Sequence, residues 1–267
     1  MQVLEKARVK AVQPGIESLA STTLKLMKKG TTSFQNLLLL KNCLLYDIYP
    51  SWNLLVGFPG EEEPVYKKYL KDLPLLTHLP PPTGSFPVRF DRYSPYFMKA
   101  NEYGLDLHPV DYYELSYPMS AESLANLAYY FEDRNLGARY MSVMIKWIDQ
   151  IRVKVNHWIT RWHAVDQLLP AKLYFKENSN VVYDSRSGRV VEHDVQAAGR
   201  LVLDAISSKP GRIGTIVEAL ENTTEVEAEG IVSSLQSRGL VFEEEGRYLS
   251  LVLPRETQKM SLFELAS

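Results

Sequence analysis

At 267 residues the chain is long enough for one large core or two smaller ones. It is 45% hydrophobic and 23% charged, an ordinary globular balance, and its net charge of −2 gives no global attraction to nucleic acid or anionic membrane. No apolar run approaches the ~18 residues that span a bilayer, and the charged start MQVLEKARVK is not a signal peptide, so the expected compartment is the cytoplasm.

Residues 8 to 61 read as strand, helix, helix, strand. Val9, Ala11, Val12 and Ile16 form a short apolar run interrupted by Gln13-Pro14-Gly15 and followed by Glu17-Ser18. Ser18 or Ser21 is placed to cap a helix ending at Lys28-Lys29-Gly30, with cations in the last turn and glycine beyond. Ser33 is placed to cap a second helix, with Phe34, Leu37, Leu38, Leu44 and Leu45 on one face. Trp52 to Val56 is a near-continuous apolar strand, the pattern of a strand buried on both faces. Two such strands joined by a helical crossover pair in parallel and right-handed, which puts QPGIES and GFPGE on one rim.

Glu61-Glu62-Glu63-Pro64 then starts a helix with carboxylates at its positive end, running through Tyr66, Tyr69 and Leu70 to about Leu79, where Pro80-Pro81-Pro82-Thr83-Gly84 breaks it. Phe86 to Tyr93 alternates as a strand, and residues 98 to 118 read as loop. Two helices fill residues 120 to 163. The second carries a stripe from Met141, Met144 and Ile145 through Ile148, Ile151 and Val155 to Trp158 and Trp162, suited to packing on the preceding sheet or bridging to the next domain. His157 and His163 are six apart and do not share a face as metal ligands would.

From Lys172 onward Leu173–Phe175, Val181–Tyr183 and Val190–Val191 form a β-meander. Three helical patterns follow (Gln196–Ile206, Ile213–Leu220 and Val226–Arg238, the last stopped by Gly239). A hairpin around Glu243-Glu244-Glu245-Gly246-Arg247 completes a winged helix-turn-helix pattern. The candidate recognition helix carries Glu225, Glu227 and Glu229, so DNA binding is disfavoured and no nucleic acid partner is expected. No Ser–His–Asp order, GxxxxGK[ST] loop or metal-ligand cluster occurs.

QPGIES, LKLMKKGTT, SWNLLVGFPGE, LTHLPPP and VRFDRYSPYF follow one another in an order that resembles radical S-adenosylmethionine (radical SAM) enzymes, in particular the cobalamin-dependent subgroup that matures ribosomally made peptides. The likeness covers roughly half the chain. It implies an α/β fold: a partial radical SAM (β/α) barrel comprising the last three strands (1–118), a helical linker (119–168) and a C-terminal winged-helix α+β domain (169–267). It implies S-adenosylmethionine contacts from Gln13, Glu17 and Ser18 after the fourth barrel strand and from Leu55, Gly57, Pro59 and Gly60 at the fifth. Arg89, Asp91 and Arg92, after the sixth, would orient a peptide substrate or cobalamin amides, with Tyr93 and Tyr96 lining the opening on the substrate side. Local readings stay open beside these: Glu17 as a helix-start carboxylate, the glycines as a tight turn, and the Arg–Asp group as a structural ion pair.

The family's iron–sulfur cluster needs three thiolates spaced CxxxCxxC, and its cobalamin needs a domain of its own. The chain has one cysteine, Cys43. The resemblance therefore implies the C-terminal portion of a peptide C-methyltransferase, inactive alone, from a split, degraded or frameshifted gene; its partners are a peptide precursor and, for a split gene, a separately encoded cluster-bearing half. It further implies a half barrel open near residues 8–16. The C-terminal pattern is similar to the small peptide-recognition domains of such pathways, where a leader peptide adds a strand to the meander edge. A purely structural or dimerising domain is the other reading of that region. A non-catalytic peptide-binding protein is the alternative for the whole chain.

Overall fold

The computed structural model describes residues 1–164 and 169–257. These residues form a mixed α/β fold of small sheets with no closed barrel. Helix α1 (Gln2–Lys6) leads into β1 (Ala11–Val12), α2 (Ser21–Leu26), α3 (Ser33–Leu45), β2 (Tyr49–Pro50), β3 (Leu54–Val56) and α4 (Glu63–Asp72); a 3₁₀ turn, Leu73–Leu76, precedes β4 (Ser85–Pro87). β1 pairs with β2 in parallel, Ala11 opposite Tyr49, and a parallel bridge from Glu17 to Leu54 carries the contact to β3. β3 pairs in parallel with β4, Leu55 opposite Phe86. The parallel arrangement is the expected one, but the first strand is broken: Pro14 has no N–H to give, and the Gln13–Gly15 segment leaves the ladder before pairing resumes at Glu17. β1 pairs with no second strand among the described residues.

Two helix starts differ from expectation. Thr32, not Ser33, caps α3: its hydroxyl accepts from Gln35 N–H at 3.3 Å while Gln35 Oε1 accepts from Thr32 N–H at 2.9 Å, a reciprocal capping box. Helix α2 starts without a side-chain cap, because Ser18 bonds elsewhere and Ser21 turns to a distant carboxylate.

The expectation that Trp52–Val56 is buried on both sides is corrected. Leu54 and Val56 share a core with Tyr66, Tyr69, Leu73 and Leu76, whereas Leu55 is half-buried and its neighbour Phe86 is 47% exposed. Side chains alternate across a strand, so the helices cover one face of the β3–β4 pair and leave the other uncovered.

Between β4 and the next long helix the chain builds β5 (Phe90–Asp91), α5 (Pro95–Met98), β6 (Leu107–Pro109), α6 (Tyr112–Ser116), α7 (Ala121–Leu127) and β7 (Tyr130–Asp133). The expected Phe86–Tyr93 strand thus splits: β4 stays in the parallel pair, while β5 joins β7 antiparallel, Phe90 opposite Phe131. β6 pairs on β7's other side, within the stretch expected to be loop. Residues 88–138 form an insert around Phe90, Leu105, Tyr113, Leu124 and Phe131. This core joins residues on both sides of position 118, the expected domain boundary.

Helix α8 (Arg139–His163) packs on α4 and β4 and buries Ile148, Ile151, Val155, Trp158 and Trp162. Trp158 Nε1 donates to Leu79 O at 2.7 Å. Its far end holds the C-terminal region, with Arg161 donating to Ser185 O and Leu169 O at 2.9 and 2.7 Å. Leu169 precedes the meander and Ser185 lies in its second turn.

That region follows the expected order. β8 (Leu173–Phe175), β9 (Val181–Asp184) and β10 (Val191–Asp194) form an antiparallel sheet in the order β10-β9-β8; α9 (Gln196–Ala205), α10 (Ile213–Leu220), α11 (Glu225–Ser237) and the hairpin β11 (Val241–Glu244)–β12 (Arg247–Ser250) come after it. Gly239 ends α11 at φ +67°, with Leu240 N–H bonded to Leu235 O at 3.0 Å and Gly239 N–H to Gln236 O at 2.8 Å.

Buried polar groups stitch this region to the first. Glu244 accepts from Ser21 N–H at 3.0 Å and from the hydroxyls of Ser21 and Ser33. Lys41 Nζ donates to Ser207 O at 3.0 Å and Ser250 O at 2.6 Å. Arg186 grips Asp184 and reaches Leu75 O and Gly239 O, each at 2.8 Å.

Candidate functional site

The GFPGE turn at the end of β3 is organised by Glu61, which is fully buried. Its Oε2 accepts from Gly57 N–H at 2.8 Å, Phe58 N–H at 3.3 Å and Tyr66 Oη at 2.7 Å; its Oε1 accepts from Thr23 Oγ1 at 2.6 Å. Tyr66 also accepts from Gly57 N–H at 2.9 Å. The sequence reading gave Glu61 to the start of α4. That helix instead begins at Glu63, and Glu61 folds back to close the turn. Gly57 sits at φ +82°, and a Cβ there would lie 2.8 Å from Met144 Cγ, so the close backbone approach serves helix α8. Pro59 is buried, and Gly60, at φ +86°, lies beside Leu26.

At the end of the first strand, Gln13 is exposed and Glu17 pairs with Lys29 at 3.1 Å. Glu17 has φ +56°, the left-handed region that a non-glycine residue rarely occupies. Ser18 is fully buried; its hydroxyl meets Tyr69 Oη at 2.7 Å and accepts from Ala20 N–H at 3.1 Å. Its bonding is inward, so the structure gives Ser18 a packing role in place of the expected cofactor contact.

After β4, Arg89 pairs with Asp91 at 2.8 Å and lays its guanidinium 3.8 Å from the Tyr130 ring. Arg92 is structural: Nε donates to Ala128 O at 2.6 Å and Nη2 to Ala125 O, fastening the end of α7 to β5. Tyr93 is exposed at φ +68°. Tyr96 packs on Tyr103 and Phe58, at 4.7 and 6.3 Å between ring centres, so the loops after β3 and β4 do meet. Its hydroxyl has no hydrogen-bond partner among the described residues, and burial pushes it up to about 12.

These residues do not converge on one cradle. Gly57 and Arg89 open into a cleft of about 810 Å³ between the insert and α8, walled by Phe131, Tyr140, Met141 and Met144. Gly60 and Glu61 border another, of about 720 Å³, between α2, α4 and the β11–β12 turn, with Leu26 and Val65 on its walls and Lys25 and Lys68 among its polar residues. Leu55 belongs to the uncovered sheet face.

Comparison with protein-family models, curated proteins and solved structures gave no match. The residues themselves must carry the functional argument. Cys43 is buried, and burial pushes its thiol up to about 11, which leaves it an inert packing residue. A cluster needing three thiolates cannot be held by a chain with one cysteine. Among the described residues no three His, Cys, Asp or Glu side chains form a metal-holding group, and no helix is long and apolar enough to cross a membrane. Of the residues expected to meet S-adenosylmethionine, Ser18 is bonded inward and Gly57 lies under Met144, whereas Gln13 and Gly60 are exposed.

The other site geometry lies in the C-terminal region. β10 is an outer strand of its sheet, β8 at the other edge being bridged to Leu253, and Val190 and Val191 are exposed. Val195 N–H donates to Asn180 O, so by the two-residue alternation the N–H and C=O of Glu192 point away from β9. Beside this edge a groove of about 610 Å³ runs between α9 and α11, lined by Val195, Gly199, Ile231 and Leu235 with Asp194 and Arg238 near the strand's end. Sequence reasoning located the edge but not the groove, which depends on how α9 and α11 pack.

Proposed function

We propose that this chain is the peptide-recognition part of a cobalamin-dependent radical SAM system that modifies, by C-methylation, a ribosomally made peptide precursor. The observation that supports it is the uncovered β10 edge beside an apolar groove. An extended peptide adding to β10 satisfies its own backbone groups on Glu192 and places alternate side chains over the groove formed with α11. On this reading residues 169–267 are a winged-helix domain used for peptide binding, residues 1–87 with α8 are a partial barrel, and the cluster and cobalamin are held outside this chain's own residues. No catalytic step is assigned to the residues of this chain.

The test is titration of the full chain with fluorescent synthetic leader segments of precursor-like open reading frames beside its gene. The expected result is saturable binding that weakens roughly tenfold or more in Glu192→Pro, which removes an outward N–H that an edge strand does not use internally. Circular dichroism of the variant establishes that the fold is kept. Equal binding by wild type and variant would overturn strand addition.

A second reading, for the barrel part, rests on the uncovered face at Leu55 and Phe86 and the free edge of β1. Parallel sheets are covered on both faces in folded proteins, so these strands favour a strand-bearing partner that extends the sheet. Co-purification with a CxxxCxxC-bearing product encoded nearby, with 5′-deoxyadenosine formation by the complex, is the expected result. A cluster-bearing protein that makes 5′-deoxyadenosine equally well without this chain would count against it.

A further inference from the structure

Eight of the chain's 16 tyrosines lie in the insert, residues 88–138. They are not scattered. Tyr112 stacks on Tyr113 with centres 4.6 Å apart and planes at 27°, and Tyr113 on Tyr117 at 6.4 Å and 24°. Tyr113 is the buried member of the series: its hydroxyl accepts from Tyr129 N–H at 3.0 Å and Tyr130 N–H at 3.4 Å, tying α6 to the start of β7. Tyr130 in turn carries the Arg89 guanidinium, at the mouth of the 810 Å³ cleft. The ladder is therefore held in place by backbone bonds and a cation–π contact before any ligand arrives.

What the ladder presents to solvent is apolar and aromatic. Tyr112, Tyr117 and Tyr129 are 45%, 43% and 48% exposed, and Leu115 and Met119 beside them on the chain are 88% and 51% exposed. Such a concentration of exposed apolar side chains on a small insert marks a binding surface. Its electrostatic setting selects the partner. Residues 88–138 contain eight carboxylates and four Lys or Arg, a charge of −4 within a chain of net −2. Phosphate-bearing ligands are disfavoured there, and cationic ones are favoured. Near-parallel tyrosine rings suit proline rings, and a proline-rich segment is already extended, has few N–H groups to satisfy and loses little entropy on docking.

We infer that Tyr112, Tyr117 and Tyr129, fixed around Tyr113, form a docking platform for a proline-rich, positively charged peptide segment. This surface is separate from the β10 edge and uses none of its residues, so its test can fail without touching the proposal for β10.

The experiment is calorimetric titration of the full chain with a synthetic peptide of about eight prolines flanked by arginines. Controls are the same peptide flanked by glutamates, an oligothymidylate and a cello-oligosaccharide. The expected result is saturable binding of the arginine peptide, roughly tenfold tighter than the glutamate peptide, weakening as salt is raised. Tyr112→Ala and Tyr117→Ala change exposed rings and leave the fold intact by circular dichroism; each is expected to weaken binding roughly fivefold or more. No saturation at millimolar peptide, unchanged affinity in both variants, or tighter binding of the oligonucleotide or oligosaccharide would each overturn the inference.

Discussion

Glu61→Ala is the substitution that most directly tests how the turn after β3 is built. The carboxylate takes four donors in a buried site. Removing it does not orphan all four equally, because Gly57 N–H keeps its 2.9 Å bond to Tyr66. Thr23 Oγ1, Tyr66 Oη and Phe58 N–H lose the acceptor described for them. At about 1–3 kcal/mol per buried group left unsatisfied, and with partial relaxation, the loss comes to roughly 3–5 kcal/mol. Glu61→Gln keeps the shape and one carbonyl oxygen, and its amide nitrogen can face Thr23, whose hydroxyl can turn to accept; about 1 kcal/mol is expected. At about 2–4 °C per kcal/mol for a chain of this size, alanine should lower the melting temperature by roughly 6–20 °C and glutamine by only a few degrees. Thermal and urea unfolding followed by circular dichroism measures both. An alanine variant within about 1 kcal/mol of the parent would refute the hydrogen-bond account of the turn.

Lys41 gives a pH signature. Burial pushes it down to about 7 in the folded chain from an ordinary 10.5, so between these values the unfolded chain holds a proton that the folded one has lost. Stability should therefore rise with pH from about 7 to about 10.5, by on the order of 4 kcal/mol, and Lys41→Met should flatten that rise in urea titrations across the range. Gly57→Ala should cost roughly 2–4 kcal/mol, since a Cβ is strained at φ +82° and meets Met144; a double-mutant cycle with Met144→Ala should recover the steric share and leave the backbone share. Arg186→Lys cannot reproduce a fork that grips Asp184 while reaching two carbonyls, and should lose roughly 2–3 kcal/mol by chemical denaturation.

The parts of the fold legible in the sequence are those written in local period and punctuation. The stripe from Ile148 to Trp162 produced a buried helix face, and Gly239 stopped α11 in the left-handed conformation it was assigned to allow. The T-S-F-Q capping box at Thr32 was legible too, one residue before the cap chosen. β7 was not: Tyr130 to Asp133 is only four residues, and what makes it a strand is pairing on both sides with β5 and β6. Glu61 looked like any carboxylate at a helix start, because its donor Thr23 comes from α2 and Tyr66 reaches back to it from within α4. Glu244 had no local signal at all, its serine partners lying 223 and 211 residues away. The residues expected to meet cofactor and substrate were chosen by strand ends. Strand ends do place Phe58 against Tyr96, but whether Ser18 faces a cleft or the interior is decided by Tyr69 on a later helix.

The path of the chain around the insert has an evolutionary consequence. Val88 N–H bonds Val56 O at 2.8 Å as the chain departs, and Met144 packs on Gly57 soon after it returns, so exit and re-entry both lie at the end of β3. A segment whose two ends are neighbours can be lengthened, shortened or exchanged at little entropic cost to the scaffold, since closing a longer loop grows only logarithmically with its length. With a core of its own, it can also open and reclose as a local unit while the parallel strands stay paired. Variation can therefore accumulate in the tyrosine-bearing segment while the scaffold beneath it stays fixed.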